Sequence, residues 1–301
     1  MSKKYSVIDL FSGCGGMSLG FQKAGFEIAL AFDHWQPAID VYKENFDHLV
    51  LKRDLSDTQD LGAMTSIVAD VIIGGPPCQD FSSAGHRNES LGRADLTTAF
   101  TTIVCKLQPQ FFLMENVPRI RKSRLLSESI TRFKKCGYGL TQVVLDASLC
   151  GVPQARKRFF LIGGRDQADN FLLNPLLSNL AAEQMTLFDF FGKSLGFEYY
   201  FRVPRSYQRR GIFSIYEPAM TVRGVDRPVP RGYPGHPGDP IELNDQIRTL
   251  TVHERAWIQT FPKTFKLEGS KTNLNQMIGN AVPVNLAMYV AKHLLEFMEH
   301  N

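Results

Sequence analysis

The run Tyr5-Ser-Val-Ile-Asp-Leu-Phe-Ser-Gly-Cys-Gly-Gly16, followed by a helical pattern over residues 17–24, decides the fold. Residues 5–11 have the length and apolar content of a buried strand. Ser12 to Gly16 make a glycine turn. A strand, a glycine turn and a helix in this order form a nucleotide-binding element. The glycines let the backbone approach a ligand, and the start of the helix offers unpaired N–H groups. A second strand over residues 26–32 ends at Asp33, about twenty residues beyond the glycines. A carboxylate there is placed to accept hydrogen bonds from ribose hydroxyls. Locally, Asp33 reads equally well as a cap for a helix beginning near Trp35.

Outward from this element, strands and helices alternate. Residues 49–52 precede Asp54, and residues 69–73 lead into Ile73-Gly-Gly-Pro-Pro-Cys-Gln-Asp-Phe-Ser82. Two glycines permit close approach and two prolines stiffen the chain, so this stretch reads as a rigid ledge presenting the Cys78 thiol. A thiolate with a lowered pKa is a strong nucleophile. The polar residues 82–93 are long for a connection and read as a lid. After a helix over residues 94–107, the apolar strand 110–117 carries Glu115 and Asn116 at its end. In such surroundings a carboxyl is expected to hold its proton longer than usual and to serve as an acid, although Glu115 also reads as a strand-end cap for the next helix. A helix over 123–136, a strand over 140–147 and a strand over 159–163 continue the rhythm. The pattern predicts an α/β fold, a mostly parallel sheet covered by helices on both faces. Ligands of such sheets lie at the carboxyl ends of the strands, where Asp33, Asp54, Cys78 and Glu115 all fall.

Past residue 165 the pattern breaks into Pro, Gly, Arg and aromatic residues. Residues 166–272 are expected to form a small irregular domain, and residues 1–165 with 273–301 the larger one. Helices are predicted over 252–259 and 283–298. The overall charge is only +4, but residues 202–231 hold seven arginines against Glu217 and Asp226. Residues 119–135 hold seven basic residues against Glu128 alone. Such runs are commonly solvated faces, yet two in one chain suit a polyanionic partner. Five scattered cysteines without a Cys-x-x-Cys pair argue against a disulfide framework or a zinc site. No apolar run is long enough to span a membrane, the first residues lack a signal-peptide pattern, and the scattered cysteines suit a reducing cytoplasm.

Six stretches in order resemble the DNA (cytosine-5) methyltransferases of bacterial restriction–modification type. They are Asp-Leu-Phe-Ser-Gly-Cys-Gly-Gly (9–16), Pro-Pro-Cys-Gln-Asp-Phe-Ser (76–82), Glu-Asn-Val (115–117), Gln-Ala-Arg-Lys-Arg (154–158), Arg-Thr-Leu-Thr-Val-His-Glu (248–254) and Gly-Asn-Ala-Val-Pro (279–283). The resemblance implies an S-adenosylmethionine-dependent, Rossmann-like mixed sheet of strand order 3-2-1-4-5-7-6 and a small target-recognition domain. It implies that Phe11, Ser12, Gly13, Cys14, Gly15 and Gly16 hold the methionine part of S-adenosyl-L-methionine. Asp33 would take its ribose, and Asp54 and Leu55 its adenine. His34 or Trp35 would stack on that base, and Asn280 and Val282 would close the pocket. Cys78 would be the nucleophile, Glu115 would hold or protonate cytosine N3, and Arg156 and Arg158 would complete the catalytic set. Ser82, Arg93, Arg209, Arg210, Thr221, Arg223 and Arg227 would contact double-stranded DNA. The implied enzyme needs no metal, acts as a monomer and flips its target base.

Three other readings are weaker. A cytosine-5 methyltransferase acting on transfer RNA would carry a Cys-Phe-Thr element, which this sequence lacks. A nicotinamide-dependent oxidoreductase would explain Gly13, Gly15 and Asp33 but not the Cys78 ledge or Glu115. A catalytically dead DNA-binding relative would not need the cysteine, glutamate and arginines together.

Overall fold

The computed structural model describes residues 4–77, 96–204, 206 and 208–300. In chain order its first elements are β1 (Ser6–Leu10), α1 (Gly16–Ala24), β2 (Glu27–Asp33), α2 (Gln36–Lys43), β3 (Val50–Lys52) and β4 (Val71–Gly74). Then come α3 (Leu96–Leu107), β5 (Phe111–Asn116), α4 (Arg124–Lys135), β6 (Tyr138–Asp146) and β7 (Lys157–Arg165). The rest comprises α5 (Leu173–Ser178), α6 (Leu187–Phe191), β8 (Tyr199–Phe201), β9 (Ile212–Ser214), α7 (Val252–Ile258), α8 (Lys271–Asn280) and α9 (Val284–His300).

The strands β1 to β7 form one sheet in the order 3-2-1-4-5-7-6. Pairing is parallel from β3 across to β5, and β7 runs antiparallel against β5. Every residue of β4 and β5 is buried, as expected of strands covered on both faces. Successive side chains leave a strand on opposite faces, and the packing divides accordingly. Ile8, Leu10, Ile72, Phe112 and Met114 share one core with Phe100 of α3 and Phe133 of α4. On the other face, Phe111 meets Phe297 of α9 edge-on at 6.2 Å, and Asp9 binds Ser18 of α1. Gly74 ends β4 because a side chain there would lie 2.5 Å from the Leu10 carbonyl oxygen.

Contacts divide the chain into two compact units, one of residues 1–145, 157–180 and 287–301, the other of 146–156 and 181–286. These boundaries differ from those expected at 165 and 273. Residues 166–180 join the larger unit because α5 buries Leu176 and the Tyr289 hydroxyl donates to the Leu176 carbonyl at 2.8 Å. The smaller unit is less irregular than its composition suggests. β8 and β9 pair antiparallel, residues 154–155 and 219–220 pair in parallel, and α6 and α7 both begin with capping boxes. Asp239 binds it together: burial pushes its carboxyl up, but bonds from Tyr233, Ile212, Gly211 and His236 hold it below the usual range.

Candidate active site

Because β1 to β5 are parallel and in register, their carboxyl ends lie in one row. Leu10 stands beside Phe32 and Gly74, and Gly74 beside Met114. One residue further on come Phe11, Asp33, Gly75 and Glu115, the residues in which the sequence concentrates polar chemistry and tight turns.

Phe11 takes φ of 63°, a left-handed backbone that a bulky side chain rarely accepts. The chain thereby leaves the strand abruptly and enters the turn. The Asp33 carboxylate holds that turn in place, accepting from the Gly13 N–H and the Trp35 N–H at 2.8 Å each. One oxygen thus ties down the turn, and the other meets the N–H of the residue that precedes α2. Gly15 has φ of 93°, and a β-carbon there would sit 2.3 Å from the Phe46 ring. At Gly13 a β-carbon would meet nothing within 4 Å. The Ser12 hydroxyl is buried and makes no hydrogen bond among the described residues. The turn thus has an open side and a buried polar atom awaiting a partner.

Next along the edge, the His34 imidazole lies 3.7 Å from Asp33. Asp54 is exposed, and its carboxyl is held below the usual range by bonds from Ser56, with help from His34. Leu55 packs its side chain into the core. Trp35 is partly buried at the start of α2.

At the end of β5 lies an ion pair. The antiparallel course of β7 brings its first residues to this edge, where the Arg158 Nε donates to Glu115 Oε1 at 2.7 Å. Both side chains are largely buried. Glu115 is therefore not a solitary buried carboxyl but one half of a buried ion pair. A β-carbon on Gly75 would lie 3.3 Å from Glu115 Oε2. Asn116 Nδ2 donates to the Pro76 carbonyl at 2.9 Å and ties the ledge to this strand end. Cys78, Ser82, Arg93 and the expected lid lie outside the described residues. Burial pushes the thiols of Cys14, Cys105 and Cys150 up to about 12, which leaves them protonated and inert.

Arg156 belongs to the smaller unit and is not a free catalytic group. Its guanidinium is buried and donates to the carbonyls of Val222 at 3.0 Å, Gly279 at 3.0 Å and Ala281 at 3.1 Å. Gln154 and Gln259 extend this brace. Gln154 accepts from the Val222 N–H and donates to Gln259, which donates to the Ile278 and Ala281 carbonyls. Asn280, the last residue of α8, and Val282 flank Ala281 within that framework.

The arginine run is likewise not one surface. Arg210 pairs with Glu217 and lies over the Phe213 ring at 4.5 Å. Arg223 donates to the Val203 carbonyl at 3.3 Å, and Thr221 donates to the Ala155 carbonyl at 2.8 Å. Arg209 and Arg227 remain exposed. Residues missed as individual candidates are Arg119, Arg121 and Lys122. They are exposed in the short 3-10 helix Pro118–Lys122 directly beyond Glu115, inside a run that stands out in sequence only for its charge. Among the described residues no helix is long and apolar enough to cross a membrane. No cluster of three or more metal-ligating side chains occurs among them either.

The chain matches the family of C-5 cytosine-specific DNA methylases over residues 5–195 and 199–296. It is 54% identical over 293 residues to the type II methyltransferase M.HindV of Haemophilus influenzae, with 96% of each chain covered. It is 52% identical over 296 residues to the type II methyltransferase M.HgiDI of Herpetosiphon aurantiacus, covering 97% of this chain and 94% of that one. The S. pombe Dnmt2 methyltransferase shares the fold, with a TM-score of 0.72 at 18% identity over 98% of this chain and 99% of that one.

Proposed function

The chain belongs to the C-5 cytosine-specific DNA methylase family and is a DNA (cytosine-5-)-methyltransferase; from that premise we propose how its residues divide the work. The observation that carries this reading is the Glu115–Arg158 pair, set at a strand end beside the Gly75–Pro76 ledge that leads to Cys78.

Cytosine C5 is a poor nucleophile until C6 is saturated. In this reading the Cys78 thiolate adds to C6, and Glu115 holds N3 as charge develops in the ring. Arg158 fixes the orientation of Glu115. Among the described residues its only other bond is from Nη1 to the Lys157 carbonyl, which leaves donors for the base or a phosphate. Loss of the C5 proton then lets Cys78 leave. The base has to be turned out of the duplex for any of this to occur. S-adenosyl-L-methionine fits the Phe11–Gly16 turn, which has an open face at Gly13 and an unpartnered Ser12 hydroxyl, with Asp33 and Asp54 beyond it. Bound there, it supplies the electrophilic methyl group. Arg119, Arg121, Lys122, Arg209 and Arg227 are the exposed cations suited to the phosphates of double-stranded DNA. The brace at Gln154 and Arg156 supports Thr221–Arg223 in the recognition unit. We assign the enzyme to a bacterial cytoplasm, acting as a monomer that shields its site from a partner endonuclease, as the type II names of its relatives suggest.

The test uses a duplex carrying 5-fluorocytosine at the target, which bisulfite sequencing of plasmid from expressing cells identifies. Fluorine at C5 blocks the final elimination, so the protein should remain attached through Cys78 in the presence of S-adenosylmethionine. Cys78→Ser should form no adduct while still binding the cofactor. Attachment at another cysteine, or none by an enzyme shown to methylate, would overturn the assignment.

A further inference from the structure

Beneath the glycine turn runs a chain of buried polar groups that the proposed chemistry leaves unused. Asp9, two residues before Phe11, is fully buried, as are Ser18 and Tyr42. Ser18 donates to Asp9 Oδ2 at 2.5 Å, and Tyr42 donates to Ser18 Oγ at 2.7 Å. The Tyr42 oxygen lies 2.6 Å from His48 Nε2, and the His48 Nδ1 lies 3.5 Å from the Gln22 side-chain amide. Each hydroxyl has one proton, which fixes the direction of the whole chain. Tyr42 gives its proton to Ser18 and so accepts from His48, which must carry hydrogen on Nε2. Gln22 then donates to Nδ1. Every donor points inward, towards Asp9.

The chain is built into the turn from both sides. The Asp9–Ser18 bond joins the end of β1 to the first turn of α1, closing the base of the loop between them. A β-carbon on Gly15 would lie 2.3 Å from the Phe46 ring and 3.0 Å from the Tyr42 ring, and these two rings stack on each other at 4.2 Å. The second oxygen of Asp9 is buried with no hydrogen-bond partner among the described residues. A hydroxyl bond to an ionised carboxylate is short and strong. A protonated Asp9 would accept more weakly from Ser18, and its new O–H would have no acceptor.

We propose that Asp9, Ser18, Tyr42 and His48 act as a positioning relay for the cofactor turn, in which the charge of Asp9 holds the turn in its binding shape and a proton on Asp9 slackens it. The relay rests on the assignment of S-adenosylmethionine to that turn. It makes cofactor affinity depend on pH.

The surroundings of Asp9 set where this happens. Its neighbours across the sheet, Ala31 and Ile73, are apolar. On β2 Asp33 faces it as a like charge, while α1 and α2 contribute only Ser18 and Tyr42. Burial, opposed by the Ser18 bond and reinforced by the charge of Asp33, pushes the Asp9 carboxyl up to about 7. Tyr42 stays protonated, its pKa raised by burial and by Asp9. At the outer end burial lowers the pKa of His48 against the pull of Asp47, which favours the neutral ring the chain requires. Binding that tightens the turn should draw the proton off Asp9, and by linkage loss of that proton should tighten binding.

The experiment is calorimetric titration of the full chain with S-adenosylmethionine and with S-adenosylhomocysteine from pH 5.5 to 8.5. The second ligand lacks the sulfonium charge, so it separates an effect on the turn from simple attraction of a cation. Affinity for both should fall about tenfold between pH 8 and pH 6, close to the limit for one proton. Asp9→Asn should bind both at the wild-type low-pH level, with no further fall that wild type does not share from ligand titration. His48→Asn, altered at the accessible end, should keep the fall but move its midpoint upward. Infrared difference spectra of the wild-type protein give a second measurement should Asp9→Asn not fold. A protonated carboxyl band should be present at pH 6, absent at pH 8, and lost at pH 7 on adding either ligand. A wild-type affinity flat across this range, an Asp9→Asn profile parallel to wild type, or no such band would overturn the relay. No binding of either ligand at any pH would instead overturn the cofactor assignment, and the relay with it.

Discussion

Asp9 shows most plainly how a single side chain can work against the fold that contains it. Its carboxyl is raised from an ordinary value of 3.8 to about 7. A group raised in the folded state stabilises the fold fully below its unfolded value and loses that contribution as pH climbs through the folded one. Between pH 4 and pH 8 Asp9 alone should therefore lower the unfolding free energy by on the order of 4 kcal/mol. Asp9→Asn cannot ionise, so its stability relative to wild type should rise over that window in denaturant unfolding curves. A constant difference between the two proteins would show that Asp9 does not titrate there. Sequence could flag the residue only as the acid inside an apolar strand. What makes it unusual is Ser18 and Tyr42 arriving from two helices, and that is a matter of tertiary packing. Glu115 behaves in the same way. Its place at a strand end is legible in the sequence, whereas its pairing with Arg158 requires knowing that β7 runs backwards.

At the level of elements, legibility follows the strength of local patterning. Apolar runs bounded by glycine or acids mark all seven strands of the sheet to within a few residues. α8 escapes because Lys-Thr-Asn-Leu-Asn-Gln-Met-Ile-Gly-Asn is built from indifferent helix formers and ends near a glycine. Packing against α7 and the Ser270 cap hold it instead. α5 is hidden by Pro175, a residue tolerated in a first turn but read as a breaker. The direction of β7 leaves no trace in sequence, since a fully buried strand shows the same apolar run either way. Arg156 is misplaced by sequence for a related reason: nothing in Gln-Ala-Arg-Lys-Arg distinguishes the arginine that turns inward from the one at the site. Arg156→Ala should strip donors from three carbonyls and destabilise the protein by roughly 3–5 kcal/mol, the range for breaking a buried network. Arg156→Lys should recover only part of that loss, because one ammonium cannot replace a fork reaching Val222, Gly279 and Ala281. Full stability of the alanine variant in urea unfolding would show that the brace holds nothing.

For the molecule as a whole, a formal charge of +4 says little about DNA. What matters is which cations are already committed. Arg210 and Arg223 are engaged within the protein, while Arg119, Arg121, Lys122, Arg209 and Arg227 are exposed. Replacing any of the second group with glutamine should flatten the dependence of DNA affinity on salt by about 0.9 in log–log slope for each phosphate no longer neutralised. Arg210→Gln should disturb stability more than slope. Equal slopes across both groups, measured by titration at several salt concentrations, would contradict this division.

The brace also bears on how such a protein can acquire a new target. The chain passes between the two units at 145, 156, 180 and 286, so the smaller unit is discontinuous. A gene exchange spanning only residues 181–286 would carry Val222, Gln259 and Gly279 into a recipient but leave Gln154 and Arg156 behind. The incoming segment would fold properly only where the host already offers a glutamine and an arginine at those two places. Recombination between such enzymes is thus limited less by the variable loops than by an eleven-residue stretch, 146–156, lying outside the segment being traded. A shuffled library should yield its working hybrids chiefly among pairs that agree there.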